Sequence, residues 1–171
     1  MKYRALQMAF IAGLLALAPV AAAATPNCTI DHARYVLRDA PDYSVGFHFI
    51  GDYETLISDL ALFVRSGKSD RTFWFFFDQG SGRYIYLHST TDVLAPGWQP
   101  PDPDGGPRPL GQMHYMAADA DLSFSLVLPQ SGQLAPTYIL LPDLPEVMWY
   151  RVRDPQESVP LAFFQLSDCE G

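Results

Sequence analysis

The chain has few basic residues. Lysine and arginine together number 11, against 19 aspartates and glutamates, so the formal net charge is −8. Proteins that bind nucleic acid need clustered Lys and Arg to neutralise phosphates. The nearest approach to such a cluster, residues 65–71, is short and contains Asp70. The composition therefore disfavours a nucleic acid partner, whereas complementary charge permits a basic protein partner.

Motifs for metal, nucleotide and catalytic chemistry are missing as well. The four histidines are His32, His48, His88 and His114. No two of them lie within five residues of each other, so the sequence has no local zinc signature. Residues 67–69 read GKS but lack the leading glycine of a phosphate-binding loop, because Leu62 stands at that position. We therefore expect no metal and no cofactor, and no residue is nominated as catalytic.

A long apolar run occurs only at the start of the chain. Residues 1–4 carry positive charge, residues 9–19 are apolar and uncharged, and residues 21–24 are all alanine. A charged start, a short apolar core and small residues at the cleavage position are typical of a secretory signal peptide. The sequence predicts that residues 1–24 are such a peptide, removed after Ala24.

The predicted mature chain, residues 25–171, has the length of a single globular domain. No later stretch is long and apolar enough to cross a bilayer. The first cysteine, Cys28, follows Thr25-Pro26-Asn27, which does not fit the lipid-attachment motif of bacterial lipoproteins. We expect a periplasmic or secreted protein with no membrane anchor after cleavage.

Cysteine is almost absent too. The two cysteines, Cys28 and Cys169, lie near the two ends of the predicted mature chain. In an oxidising compartment such a pair most simply forms one disulfide. A bridge that closes a loop of this length stabilises the fold by about 5 kcal/mol in the chain-entropy model.

The remaining sequence consists of short apolar runs rich in aromatic and β-branched residues and separated by turn residues, which is typical of strands. The candidate strands are residues 35–38, 45–50, 72–78, 83–89, 112–117, 122–128, 138–141, 147–152 and 161–166, and residues 60–65 are either a further strand or the end of a helix that begins near Tyr53. This number and spacing predict a mainly β fold, an antiparallel sandwich or a barrel-like single domain. One short helix near residues 53–63 would make the fold α+β instead.

Three of these runs carry specific expectations. Residues 72–78 and 83–89 flank a glycine-containing turn, which predicts a hairpin whose first strand is covered on both faces. Residues 122–128, LSFSLVL, alternate apolar side chains with serine and predict a half-buried strand. Residues 147–152 predict a strand that places Trp149 in the core.

Between the strands, residues 95–109 contain six prolines and predict a long exposed loop without helix or strand. Trp98 lies in this loop and is our candidate partner-contact residue, together with Asp102 and Asp104; the alternative for Trp98 is that it folds back to cover the sheet. The stretch 102–106, DPDGG, begins like a calcium loop but lacks the further oxygen ligands and the closing Glu.

Export, small size and the missing catalytic motifs favour a non-enzymatic binding protein of the bacterial envelope or medium, which contacts a protein through the Trp98 loop. Two alternatives stay open. Exposed aromatic side chains would suit a carbohydrate-binding module. A hydrolase whose catalytic residues are dispersed along the chain is the other.

Overall fold

A computed structural model describes residues 28–80, 82–102 and 105–169. The predicted signal peptide and Asp104 lie outside these residues. These described residues form nine strands: β1 (Ala33–Leu37), β2 (Tyr43–Phe49), β3 (Leu60–Ser66), β4 (Arg71–Asp78), β5 (Ile85–Thr90), β6 (Gln112–Ala118), β7 (Phe124–Ser125), β8 (Tyr138–Leu140) and β9 (Phe164–Cys169). A 3-10 turn covers Ile30–His32, and one α-helix, α1, covers Leu144–Tyr150.

Eight of the strands form a closed antiparallel barrel. From β1 to β6 each strand pairs with the next in sequence. Strand β6 then pairs with β8, β8 pairs with β9, and β9 returns to pair with β1. The prediction of a mainly β, barrel-like fold is confirmed, and the barrel rather than the sandwich is the form that it takes.

The barrel interior is filled by side chains from alternate positions of every strand, as the two-residue period of a strand requires. The largest fully buried side chains are Tyr35, Tyr43, Phe75, Phe77, Phe164, Leu37, Leu60, Leu62, Leu87, Met113, Ile139 and Leu141. Burial of each such side chain contributes about 1.5–3 kcal/mol. The interior is therefore a packed core, and space for a ligand has to be sought at the barrel ends.

The predicted hairpin is confirmed as β4 and β5, and β4 is covered on both faces. Its Phe75 and Phe77 point into the barrel, while Trp74 packs on the outside with Ala61 and Val93. This outer cluster exists because the connection from β5 to β6 folds back over the barrel wall.

Residues 53–63, for which the sequence left helix and strand open, contain no helix, and Leu60 begins β3. The one α-helix of the described residues is α1. The predicted strand 147–152 is wrong, because α1 begins at Leu144 with Pro145 in its first turn, a position that proline favours. The core position predicted for Trp149 is wrong as well: Leu144 and neighbouring apolar residues of α1 are buried, whereas Trp149 is 46% exposed.

The prediction of a half-buried strand at 122–128 is also wrong. Only Phe124 and Ser125 pair, with Ala118 and Ala117 at the end of β6, and every residue from 121 to 127 is exposed. The chain reaches β7 through a turn in which Leu122 has a φ of 67°. Within the described residues no strand pairs with the other side of β7, so its apolar neighbours stay in contact with solvent.

The two ends of the barrel are covered differently. At one end, which we call the helix end, α1 and the connection that follows it cover the core. At the other, the cleft end, the cover is the connection between β7 and β8. The strand directions place the β2–β3, β4–β5 and β6–β8 connections at the cleft end.

The predicted disulfide is confirmed. Cys28 and Cys169 are bonded, their Cα atoms lie 6.0 Å apart, and 141 positions separate them in sequence. Strand β9 ends at Cys169 and pairs with β1, so the bond joins two segments that the sheet has already brought together. Its position at the cleft end helps to hold the described N-terminal segment against the barrel.

A buried ion pair fixes the cover at the helix end. Arg71 Nη2 donates to Glu157 Oε1 at 2.9 Å, and the Ser69 hydroxyl donates to the same oxygen. Arg71 also donates to the backbone carbonyls of Arg153 and Pro155 at 2.9 and 2.7 Å. Burial raises the pKa of Glu157, but the Ser66 and Ser69 hydroxyls and the Arg71 guanidinium lower it by more, so its pKa lies below the usual value.

The pKa of Glu157 is lower in the folded protein than its usual value near 4.5. The ionised carboxylate therefore stabilises the fold at pH values above this usual pKa, and the contribution is lost as the pH falls through the lowered folded-state pKa. We expect Glu157→Gln to reduce the free energy of unfolding at pH 7 by about 1–3 kcal/mol. Urea unfolding at pH 7 and pH 3 checks this, with the exposed Glu54→Gln as control. A loss for Glu157→Gln that is equally large at both pH values would contradict the assignment.

Candidate functional site

A cleft of about 370 Å³ opens at the cleft end of the barrel. Its lining residues are Ile30, Tyr115, Ala117, Ser125, Val127, Pro129, Gln133, Leu134 and Pro136. Tyr115 and Ala117 are inward-facing residues of β6, and Ile30 comes from the 3-10 turn. The cleft therefore lies between the end of the packed core and the connection from β7 to β8, and none of its lining side chains is charged.

Residues 128–136, which we call the cover segment, form one wall of the cleft and are fixed to the β2–β3 connection. The Ser58 hydroxyl donates to the carbonyl of Pro129 at 2.6 Å. Gln130 Nε2 donates to the carbonyl of Ile57 at 2.8 Å. Ser131 donates through both its backbone N–H and its hydroxyl to the carboxylate of Asp59.

The cover segment is also held by the N-terminal segment of the described chain. The N–H of Gly132 donates to the Asp31 carboxylate at 2.9 Å, and the N–H of Ile30 donates to the carbonyl of Gln133 at 2.8 Å. The N–H of Ala135 donates to the carbonyl of Cys28 at 2.9 Å. These bonds tie the wall to the disulfide-linked end of the barrel and pre-form the cleft.

Two buried tyrosines near the cleft differ in how their hydroxyls are satisfied. Tyr35 donates to the carbonyl of Pro136, a cleft residue, at 2.9 Å. Tyr115 is 3% exposed, packs edge-on against Phe77 at 5.2 Å between ring centroids, and its hydroxyl has no hydrogen-bond partner among the described residues. Burial raises the pKa of both phenols, so both stay protonated donors.

Several apolar side chains of residues 122–134 remain in contact with solvent. These residues, which we call the rim, are Leu122, Phe124, Leu126, Val127 and Leu134, and each is more than half exposed. Val127 and Leu134 line the cleft, whereas Phe124 and Leu126 line a smaller depression beside Tyr84. Exposed apolar patches are typical of interaction sites. The alternation at 122–128 signalled these residues in the sequence, but it was interpreted as one face of a half-buried strand.

A second candidate group, of polar and aromatic side chains, lies outside the barrel on and beside β5 and β6. This outer polar face consists of Tyr84, Tyr86, His88, Gln112 and His114. His114 Nδ1 lies 2.7 Å from Asp143 Oδ2, and its backbone N–H donates to the same oxygen at 2.7 Å. The rings of Tyr86 and Tyr84 lie 4.8 and 5.8 Å from the His114 ring, so the imidazole is oriented by a carboxylate and flanked by two phenols.

His88 occupies the next row of the outer polar face and is nearly buried. Burial and the nearby Arg108 charge lower its pKa, and the raising effect of Asp78, whose Oδ2 lies 3.3 Å from His88 Nε2, does not outweigh them. A neutral His88 therefore prevails near neutral pH. In the part of the chain that the structure describes, no three His, Cys, Asp or Glu side chains are placed to hold a metal ion.

The partner-contact residues predicted from the sequence do not come together at the cleft. Trp98 is half-buried and packs with Val93 and Trp74 on the outer wall, with its ring edge-on to Tyr53 at 6.4 Å. Asp102 is exposed, and its carbonyl accepts from the N–H groups of the two following glycines. The loop contains no helix or strand at residues 95–102 and 105–109, as predicted.

Neither the cleft nor the unpaired hydroxyl of Tyr115 was predicted from the sequence. Tyr115 was seen as part of a strand, but nothing in its neighbours indicates that its hydroxyl lacks a partner. That property depends on the cover segment, which follows 13 positions later in the chain. The exposed leucines were the one local signal that pointed to this end of the barrel.

Because a buried unsatisfied hydroxyl costs free energy, we expect Tyr115→Phe to raise the free energy of unfolding by about 1 kcal/mol. Tyr35→Phe removes a satisfied hydroxyl and should lower it by about 1 kcal/mol. Urea unfolding of both variants at pH 7 measures the contrast. Equal destabilisation by the two changes would mean that the Tyr115 hydroxyl has a partner in the free protein.

The helix of the described chain is too short and too polar to span a membrane. No family model, curated protein or solved structure matches the chain. Its function therefore has to be inferred from the cleft, the rim and the outer polar face themselves.

Proposed function

We propose that this chain is an exported, non-catalytic binding protein, and that it holds a small apolar molecule in the cleft. The observation that carries the proposal is the cleft itself: about 370 Å³ of space with uncharged walls at the end of a closed barrel. Ligand pockets have volumes of about 300–1,000 Å³, are mainly apolar with few polar groups, and occur in the mouths of barrels.

The walls support binding because they are already in place. The cover segment is fixed by hydrogen bonds to Asp59, Asp31 and Cys28, so little conformational entropy is lost when a ligand enters. Apolar surface of Val127 and Leu134, which line the cleft and are exposed, would leave water on binding, which is favourable at about 25 cal/mol per Å².

Because of the position of Trp98, we propose the cleft end of the barrel, and not the Trp98 loop, as the contact surface. Its indole is half-buried on the barrel wall, whereas Leu134 of the rim is 70% exposed. A disulfide that joins Cys28 to Cys169 supports action outside the cytoplasm, since such bonds persist in oxidising compartments. The predicted signal peptide supports the same compartment.

Nile red, a neutral dye that fluoresces strongly in apolar surroundings, tests the proposal directly. We expect saturable binding by the wild-type protein, and a loss of at least tenfold in affinity for Leu134→Glu, because a carboxylate at the cleft entrance would have to lose water to admit the dye. Fluorescence titration at pH 7 measures both dissociation constants.

The matched control for this titration is Leu161→Glu. Leu161 is 65% exposed and lies in the connection between α1 and β9, away from the cleft. The same leucine-to-glutamate change there should leave Nile red affinity unchanged. Absence of binding by the wild type, or equal losses in both variants, would sink the proposal.

The outer polar face favours a second candidate, the binding of a carbohydrate. Tyr84 is 56% exposed, and beside it stand Tyr86, His114 and the Asp143 carboxylate. An exposed aromatic ring can stack on a sugar, and neighbouring polar side chains can bind its hydroxyls. Tyr84 also lines a small depression with Phe124 and Leu126 of the rim, so this face adjoins the cleft end of the barrel.

For this second candidate we expect the wild-type protein to be retarded in gels that contain a polysaccharide, and Tyr84→Ala to remove the retardation, a loss of about 1 kcal/mol in binding. Tyr150→Ala is the control, because Tyr150 is 62% exposed on α1. Equal mobility of all three proteins in gels of several polysaccharides would rule the candidate out.

A further inference from the structure

The central part of the rim, residues 124–127, separates two hollows on the surface of the cleft end. Val127 lines the cleft, whereas Phe124 and Leu126 line the smaller depression beside Tyr84. The smaller depression holds about 30 Å³, far less than the roughly 300 Å³ of the smallest ligand pockets. It therefore admits the end of one side chain but no separate ligand.

The side chains of this segment are exposed although they are apolar. Phe124, Leu126 and Val127 are 51%, 55% and 63% exposed. No strand of the described residues pairs with the outer edge of β7, and a free edge accepts a further strand. A small molecule held in the cleft would contact Val127 but leave Phe124 and Leu126 in water, so the function proposed for the cleft does not account for them.

The rim lies among negative charges. The described connections at the cleft end contain six carboxylates and a single guanidinium: Asp31, Asp52, Glu54, Asp59, Asp119, Asp121 and Arg83. Asp119 and Asp121 belong to the turn that leads into the rim, and both are exposed. Hydrogen bonds from the hydroxyl and the N–H of Ser123 lower the pKa of Asp121, so this carboxylate is ionised at neutral pH.

We propose that the rim docks a segment of a partner protein that carries apolar side chains next to Lys or Arg. The apolar side chains of the partner cover Phe124, Leu126 and Val127 and enter the hollows on either side. Its basic side chains lie near Asp119 and Asp121. This docking surface is additional to the small-molecule cleft and requires no ligand there.

The charge of the cleft end favours this partner over the other occupants that cover exposed apolar side chains. A second copy of the chain would bring two acidic turns together, and like charges across an interface are costly. A membrane surface with anionic lipids repels the same carboxylates. Lys and Arg are instead attracted to them, while removal of the apolar side chains from water provides the affinity.

Three fluorescein-labelled peptides of ten residues test the class of partner: alternating leucine and lysine, alternating leucine and glutamate, and alternating serine and lysine. Fluorescence anisotropy at pH 7 and low salt measures their affinity for the wild-type protein. We expect the leucine–lysine peptide to bind at least tenfold more tightly than either of the others, because it alone supplies both apolar surface and positive charge.

Leu126→Ser tests the apolar contact. We expect it to weaken the leucine–lysine peptide about tenfold, because a side chain that the partner covers is lost. Leu161→Ser is the matched control: Leu161 is 65% exposed and lies in the connection between α1 and β9. Its affinity for the peptide should equal that of the wild type.

The double variant Asp119→Asn, Asp121→Asn tests the charge contact. It keeps the side-chain oxygen that accepts from the Ser123 N–H and should weaken the same peptide about three- to tenfold at low salt. The control, Asp39→Asn with Asp42→Asn, removes equal charge from an exposed turn at the helix end and should bind as the wild type does. The difference between the two double variants should vanish at about 0.5 M NaCl, where exposed charges are screened.

Equal losses in the two double variants would assign the attraction to overall charge and overturn the docking surface. Equal binding of the leucine–glutamate peptide, or no binding of the leucine–lysine peptide, would overturn the class of partner. Sedimentation of the wild type as a dimer that Leu126→Ser dissociates would mean that a second copy covers the rim instead. Leu126, Asp119 and Asp121 do not line the cleft, so Nile red affinity should be unchanged in these variants, and failure of either proposal leaves the other standing.

Discussion

The pairing of β9 with β1 closes the sheet, and the rest of the structure depends on this closure. Once closed, eight strands enclose an interior whose width is set by their number, and alternate side chains such as Tyr35 and Phe164 fill it. A closed barrel also has two ends that must be covered. Cys28 and Cys169 bond where β1 and β9 meet, so the disulfide secures the same closure that creates the cleft end.

Both ends of the barrel bury a polar atom without a hydrogen-bond partner among the described residues: Glu157 Oε2 at the helix end and the Tyr115 hydroxyl at the cleft end. At the helix end Glu157 is buried, and its carboxylate receives hydrogen bonds from Arg71 and Ser69. At the cleft end the Tyr115 hydroxyl is buried without a partner among the residues that the structure describes. The difference between the ends lies instead in their covers: a carboxylate and a guanidinium hold the helix end, whereas the cleft end has an uncharged cleft of about 370 Å³.

The sequence predicted features that depend on neighbouring residues and missed those that depend on distant ones. The hairpin of β4 and β5 was predictable because strand alternation and a glycine turn are local. Alternation at 122–128 identified apolar residues but could not reveal that no layer covers them. The helix at Leu144–Tyr150 was missed although Pro145 is suited to a first helical turn, since its apolar run was short enough for a strand. The unpaired state of Tyr115 depends on the cover segment, and no local pattern records it.

The overall charge of the protein and the walls of the cleft limit the ligand in different ways. A formal net charge of −8 repels anions over several ångströms and makes two copies of the chain repel each other. Exposed leucines such as Leu126 and Leu134 would otherwise favour self-association through the rim. An uncharged small molecule is not subject to this long-range repulsion. Long-range repulsion therefore disfavours anions alone, whereas the uncharged walls of the cleft disfavour a ligand charge of either sign because it would lose its hydration without a partner.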